Sequence, residues 1–394
     1  MTILKFSRYS SLAGFLPAGV VFLMVLFEYT GNSVFALVAS VLAVIAVAIF
    51  SFGVRASQVV FVLIAIALVL WAALTNTGWM TATALAAQRG AMVMALFTAL
   101  TAIRNAAISA PAIVECGRFL ARQRSGLRYT ALTVGGHLFA LVLLYGSISL
   151  LGTLATESTA REPDPEIRRQ RTRRMMIAIQ RGFASTLCWS PLGFSMIISV
   201  SVVPGASWSA AALPGLVSAL MMLIIGWGLD ALYKPQVKPN TPPLETERWV
   251  TQLRPLLLLP GLVLVGVALL HAVTGVEVIG SVMSLIPLIA VLWIAMQQPP
   301  VGLSRRANVR QRALLFVTRE LPSYRGEIVL LFMAGFIGSL GAFLLVPLVQ
   351  AQAFDMTTIP PWIIVAAMVW IIPVTGQLGM NPILAVSLLV PILP

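Results

Sequence analysis

Two polar–proline pairs stand inside long apolar stretches, Ser190-Pro191 and Asn381-Pro382. Proline lacks the amide donor and crowds the carbonyl four residues back, so a helix meeting it breaks or kinks. A break at membrane mid-depth frees amides, which suit an anion, and carbonyls, which suit a cation. Small polar residues lie near each pair: Ser185 and Thr186 before the first, Thr375 and Gly379 before the second. A solute site is therefore expected at Ser190, Pro191, Gly379, Asn381 and Pro382. Ser185, Thr186 and Thr375 would supply oxygens to a coupling sodium ion. The alternative is two proline-kinked structural helices, which are common in membrane proteins.

Charges inside apolar runs are costly and usually functional. Arg89 lies inside one such run. It either pairs with an anionic solute or snorkels outward. His137 follows Gly135 and Gly136, where glycine permits a turn. It could bind solute or carry a proton; a hydrogen-bonded structural histidine is the other reading. His271, Glu277, Asp230 and Glu327 fall near the ends of runs, and Glu115 sits among arginines. The lack of a mid-run carboxylate favours sodium over proton coupling.

These residues need elements to hold them. The chain has 394 residues, 59% hydrophobic and 10% charged, with mean hydropathy +0.95. Soluble domains average about 45–50% apolar and about 25% charged residues. The composition excludes a soluble globular enzyme and a disordered chain. An all-α polytopic membrane protein remains. Apolar runs predict ten spans, at 11–28, 33–53, 57–74, 80–104, 176–204, 209–232, 254–272, 277–297, 326–350 and 360–394. The first reads as a span and not a cleaved signal, being too long for a signal core and lacking a small-residue cleavage site.

Lys and Arg number 26 against 13 Asp and Glu, a net charge of +13. They gather in alternate loops: 1–10, 54–56, 104–128, 155–175, 233–254 and 298–325. The loops 29–32, 75–79, 204–208, 272–276 and 351–359 have none. Under the positive-inside rule the basic set is cytoplasmic, as is the N-terminus. The excess is thus a topology signal, with no nucleic-acid partner expected and a bacterial inner membrane as the setting. One apolar run, 129–153, has basic flanks on both sides. It reads as a re-entrant hairpin, turning at Gly135-Gly136-His137 or at Tyr145-Gly146-Ser147; a plain span is the alternative. Irregular backbone at membrane depth must line protein or a watery cavity, so a hairpin there belongs beside a binding site. Stretches 111–124 and 306–321 mix apolar and arginine positions in the manner of interfacial helices.

The segments 104–205 and 298–394 echo each other: a basic surface helix, an apolar run, then a polar–proline break. By topology they run in opposite directions, the inverted-repeat plan of secondary transporters. Residues 1–103 and 206–297 would be scaffold. This layout, with Ser190-Pro191 and Asn381-Pro382, resembles the ion transporter superfamily of elevator-type carriers. The Ser-Asn-Thr signatures of its dicarboxylate branch are absent. The resemblance implies solute at the broken helices and hairpin tips, alternating access, and a homodimer interface on the scaffold.

The expected function is secondary transport of a small anionic solute. No cofactor is expected beyond Na+ as coupling ion. A second hypothesis is the membrane subunit of a multicomponent transport complex, its basic face docking an acidic partner or anionic lipid. A third, a lipid- or glycan-processing enzyme, needs an interfacial cluster of acids or histidines that cannot be assembled. There is no Walker A loop and no H-E-x-x-H, and Cys116 and Cys188 fit no metal or disulfide spacing, so enzymatic activity is not expected.

Overall fold

A computed structural model describes residues 12–377, apart from 109, 124–126, 161, 194, 197–198, 201–202, 204, 234–248 and 352–359. Gly379, Asn381 and Pro382 lie outside the described residues, as does the side chain of Thr375. The helices are α1 (Phe15–Thr30), α2 (Ser33–Ser51), α3 (Ala56–Thr75), α4 (Trp79–Ile108), α5 (Pro111–Ala121), α6 (Arg128–Leu143) and α7 (Gly146–Thr159). There follow α8 (Pro165–Thr186), α9 (Trp208–Leu232), α10 (Trp249–Thr274), α11 (Val278–Met296), α12 (Arg305–Leu315), α13 (Arg325–Ala351) and α14 (Pro361–Gln377). A π-helical turn, Phe316–Glu320, follows α12. Among the described residues there is no strand, and 7 helices are long and apolar enough to cross a membrane. That is the make-up of an all-α integral membrane protein.

Local chemistry explains the boundaries. Gly31 ends α1 at φ 66°, a left-handed position that glycine fills without strain. The Asn32 side chain caps α2 by accepting from Val34 N at 3.0 Å. Asp164 caps α8 by accepting from the amides of Glu166 and Ile167, with Pro165 in the first turn. Helix α5 buries Ile113, Cys116 and Leu120 while Glu115 and Arg118 face outward. It occupies the stretch expected for the first surface helix. Helix α12 buries Asn308 and leaves Leu314 and Leu315 exposed.

The chain divides into two compact units. One comprises Met1–Ala99, Ile197–Ser207 and Arg310–Pro394. Here α1 packs on α2, and α13 packs on α2 and α3. Helices α4 and α13 approach at Gly90 and Gly335, where an added Cβ on Gly335 would come within 3.1 Å of Gly90 Cα. The other unit comprises Leu100–Met196 and Trp208–Val309. Its centre is α8, against which α6, α7 and α9 all pack; α10 packs on α5, α6 and α11.

Three expectations need correction. The run 129–153 is neither one span nor a hairpin turning at Gly135-Gly136. It is two helices of 16 and 14 residues joined at Leu144–Tyr145, the second of the two expected turn sites. At 1.5 Å per residue these are about 24 and 21 Å long, short of a hydrocarbon layer about 30 Å thick. Gly135 and Gly136 are helical and serve close packing: a Cβ on Gly136 would fall 2.9 Å from Ile179 O, and one on Gly135 would strike Leu120. The turn falls instead on Leu144, at φ 51°, a strained setting for a large side chain.

The run 176–204 is not one span either. Helix α8 starts at Pro165 and stops at Thr186, after which the chain turns through 187–193. In the second half, α13 is one helix of 27 residues where the first half has a hairpin, and α14 continues past Pro373 to Gln377. The two halves therefore differ at these elements.

Close approach of α6 and α8 yields a test. A Cβ on Gly182 would meet the backbone of Thr133 and sit 2.8 Å from His137 N, whereas one on Gly228 would meet nothing within 4 Å. Gly182→Ala should cost about 1–3 kcal/mol as an overpacking change. Gly228→Ala should be neutral or gain up to about 1 kcal/mol. Thermal unfolding of the detergent-solubilised protein reads both; equal melting of the two variants contradicts the α6–α8 packing.

Candidate functional site

Residues four apart share a helix face. On α6 this places Tyr129, Thr133 and His137 in one row. On α8 it places Arg181 and Ser185 in another, with Arg174 two turns earlier. The small residues Gly136 and Gly182 let the two backbones come together. The rows meet as a polar seam between α6 and α8.

At one level His137 Nδ1 lies 2.6 Å from Ser185 Oγ, and Ser185 Oγ donates to Gly182 O at 2.7 Å. Because that hydroxyl proton is committed, Nδ1 is the donor toward Ser185, a tautomer assigned from the network. The His137 and Trp189 rings lie nearly parallel, 12° apart with centroids at 5.9 Å. Trp189 Nε1 is buried and has no hydrogen-bond partner among the described residues. Trp208 Nε1 donates to Trp189 O at 2.9 Å, pinning the turn to the start of α9. Gly215 admits the same turn, since a Cβ there would strike Cys188 O.

The turn has its own chemistry. Helices α9, α10, α11, α13 and α14 each hold a proline and continue through it. At Pro191 the chain does not continue. The preceding Ser190 offers what the apolar neighbours of the other prolines mostly cannot: its Oγ accepts from Leu192 N at 3.2 Å, a local side-chain bond that competes with helix. Ser185, Thr186 and Ser190 are all buried. Helix α8 thus ends at Thr186, and Ser190-Pro191 lies in the turn that follows it.

One level toward the start of α8 lies Arg181. Its Nη1 donates to Tyr129 Oη at 2.5 Å and to Gly226 O at 2.7 Å, and Tyr129 Oη also donates to Gly226 O at 3.1 Å. Among the described residues it forms no ion pair with a carboxylate. Gly226 makes the room, since a Cβ there would stand 3.0 Å from Arg181 Cδ. Arg181 lies within the predicted run 176–204 and is a functional candidate that sequence reasoning missed. Its position inside an apolar run was the available signal.

Further along, Arg174 grips Asp230 through two bonds of 2.9 and 2.7 Å, and Arg171 pairs with Glu162 at 2.8 Å. Asp230, expected at a solvated edge, is in fact a half-buried partner of α8. Burial, with Arg171 and Arg174 adding repulsion, lowers the Arg128 guanidinium to about 10; it remains charged at neutral pH.

The geometry brings together His137, Ser185, Thr186, Ser190 and Pro191. Gly135 and Gly136 flank the group as packing residues. Arg89 lies on α4 in the other unit, with its side chain exposed. Among the described residues no group of three or more His, Cys, Asp or Glu could hold a metal ion. What the arrangement offers is two poles. The end of α8 at Thr186 carries the partial negative charge of a helix C-terminus, which favours a cation, although Thr186 O accepts from Ser190 N at 3.0 Å. Arg181, five residues and about 8 Å back along the helix, favours an anion. No family model, curated protein or solved structure matches the chain.

The Arg174–Asp230 pair should matter more than a surface pair. Asp230→Asn leaves a half-buried guanidinium facing a neutral amide and should cost about 2 kcal/mol or more. Glu115→Gln, which breaks an exposed pair with Arg118, should cost under about 0.5 kcal/mol. Denaturation midpoints of the two variants decide; similar losses would mean that the half-buried pair contributes no more than a surface one.

Proposed function

We propose that this chain is a secondary transporter of a small anionic solute, working by alternating access in the manner of elevator-type carriers of the ion transporter superfamily. Its arginine-rich loops and N-terminus face the cytoplasm of a bacterial inner membrane, and α6–α7 re-enter from that side. The observation that carries the reading is Arg181, a half-buried guanidinium close to the end of α8 that has neutral acceptors and, among the described residues, no ion pair with a carboxylate. A permanent structural arginine would be cheaper with a fixed counter-ion. One that serves a travelling anion must leave its charge available.

Sodium is the proposed coupling ion. Thr186 and Ser190 keep hydroxyl oxygens next to the carbonyl end of α8, and sodium needs no acid.

The test is uptake of labelled small carboxylates and oxyanions into reconstituted vesicles. An inward sodium gradient should drive accumulation of at least one of them. Arg181→Gln should lower that uptake about 10- to 100-fold, the worth of one charge-assisted hydrogen bond, with Arg181→Lys retaining part of it. Uptake that follows a pH gradient and ignores sodium would overturn the coupling. Wild-type uptake in Arg181→Gln would overturn the site.

A further inference from the structure

A second feature of α8 and α9 adjoins the seam and shares Arg181 and Arg174 with it. A cavity of about 690 Å³ opens at the arginine-rich end of α8, lined by Arg169, Arg173, Arg174 and Arg181, with Asp230 of α9 and Tyr233 just beyond it among the other walls. The charges do not cancel. Asp230 is taken by Arg174, and Glu166 reaches Arg169 only at 4.0 Å. Arg173 is exposed and, among the described residues, has neither a hydrogen bond nor an ion pair. Such a pocket attracts an anion, and guanidinium groups match phosphate in particular.

From this cavity a groove of about 400 Å³ runs along α9 past Ser218, Met221, Met222, Ile225 and Gly226 to Leu229, with Arg181 at the junction. These positions recur every three or four residues over about 16 Å of helix. Helix α9 is itself apolar and among the least covered of the candidate spans, with Leu216, Leu220, Met221, Ile224 and Ile225 all exposed. In a bilayer that face meets lipid. A phosphate-sized basic pocket continuous with a chain-wide apolar groove has the shape and charge pattern of one kind of molecule.

We infer that the α8–α9 face is a binding site for one anionic phospholipid, its phosphate among Arg169, Arg173 and Arg174 and an acyl chain along Met221 and Ile225. Basic pockets beside membrane helices hold anionic headgroups in this way. The inference rests on α9 lying in the membrane; it does not require transport.

The experiment places the full-length chain in nanodiscs of phosphatidylcholine with a minor fraction of phosphatidylglycerol, and counts retained phosphatidylglycerol by native mass spectrometry. Wild type should keep one phosphatidylglycerol per chain in preference to phosphatidylcholine. Arg169→Gln with Arg173→Gln should weaken retention about 30-fold, the worth of two basic side chains near an anionic surface. Ile225→Trp, which fills the groove, should also weaken it. All three side chains are exposed, so these variants keep the fold. Retention unchanged in the double arginine variant overturns the proposal. So does retention that falls with the arginines but ignores Ile225→Trp, or displacement by soluble glycerol phosphate at concentrations matching the lipid, because either would show a plain phosphate site. Anion uptake measured on the same variants separates this site from Arg181: loss of lipid with uptake intact leaves both proposals standing.

Discussion

A guanidinium cannot be left bare in an apolar layer. Arg181 meets this constraint with two neutral acceptors, Tyr129 Oη and the carbonyl of Gly226, and the packing of three helices follows from it. Tyr129 must stand on α6, so α6 must lie against α8, and Gly136 and Gly182 permit that distance. The Gly226 carbonyl must reach from α9, and the absence of a Cβ there gives the side chain its passage. Neutral partners satisfy hydrogen bonds but leave the net charge uncompensated. The contrast with Arg174 is direct: that arginine, about two turns nearer the start of α8, has the bidentate carboxylate of Asp230. The same helix thus carries one arginine that is electrically closed and one that is open.

The break beyond Arg181 gives the opposite pole. A helix ending inside an apolar layer leaves carbonyls whose partial negative charge attracts a cation. Ser190 stabilises that ending by accepting from Leu192 N, and His137 is held in place by Ser185 and overlain by Trp189. Anion and cation preferences therefore sit within about two turns of each other on one helix. The apolar outer face of α9 and its basic pocket belong to the lipid side of the same helices.

Much of this was legible beforehand. Runs of apolar residues set the ends of α2, α3, α4, α9, α10 and α11 to within about five residues, because membrane helices must satisfy their backbone internally. The turn at Ser190-Pro191 was legible because a hydroxyl beside proline offers the chain an alternative bond. The hairpin turn was only half legible. Sequence cannot distinguish a glycine that turns a chain from one that admits a neighbouring helix, and Gly135-Gly136 are the second kind. The true turn uses Leu144 at φ 51°, which surrounding packing imposes and no local preference announces. Arg181 was lost to averaging, since one charge hardly moves the hydropathy of a long run, and the run itself hid that α8 begins at Pro165.

The central claim is that the turn after α8 is reached from both sides of the membrane in alternation. The chain supplies its own probe. It has 2 cysteines, and Cys188 lies in that turn, half-buried. Cys116 donates to Gln252 O at 2.7 Å, and burial pushes its thiol up, so it reacts slowly and Cys116→Ala removes it. In the Cys116→Ala protein, sealed vesicles would be treated with a membrane-impermeant thiol reagent from one face, then from the other. The account predicts labelling of Cys188 from both faces, slowed by the transported anion with sodium. Labelling from neither face, or from one face only under every condition, would mean that the seam is a closed structural core, and would contradict it.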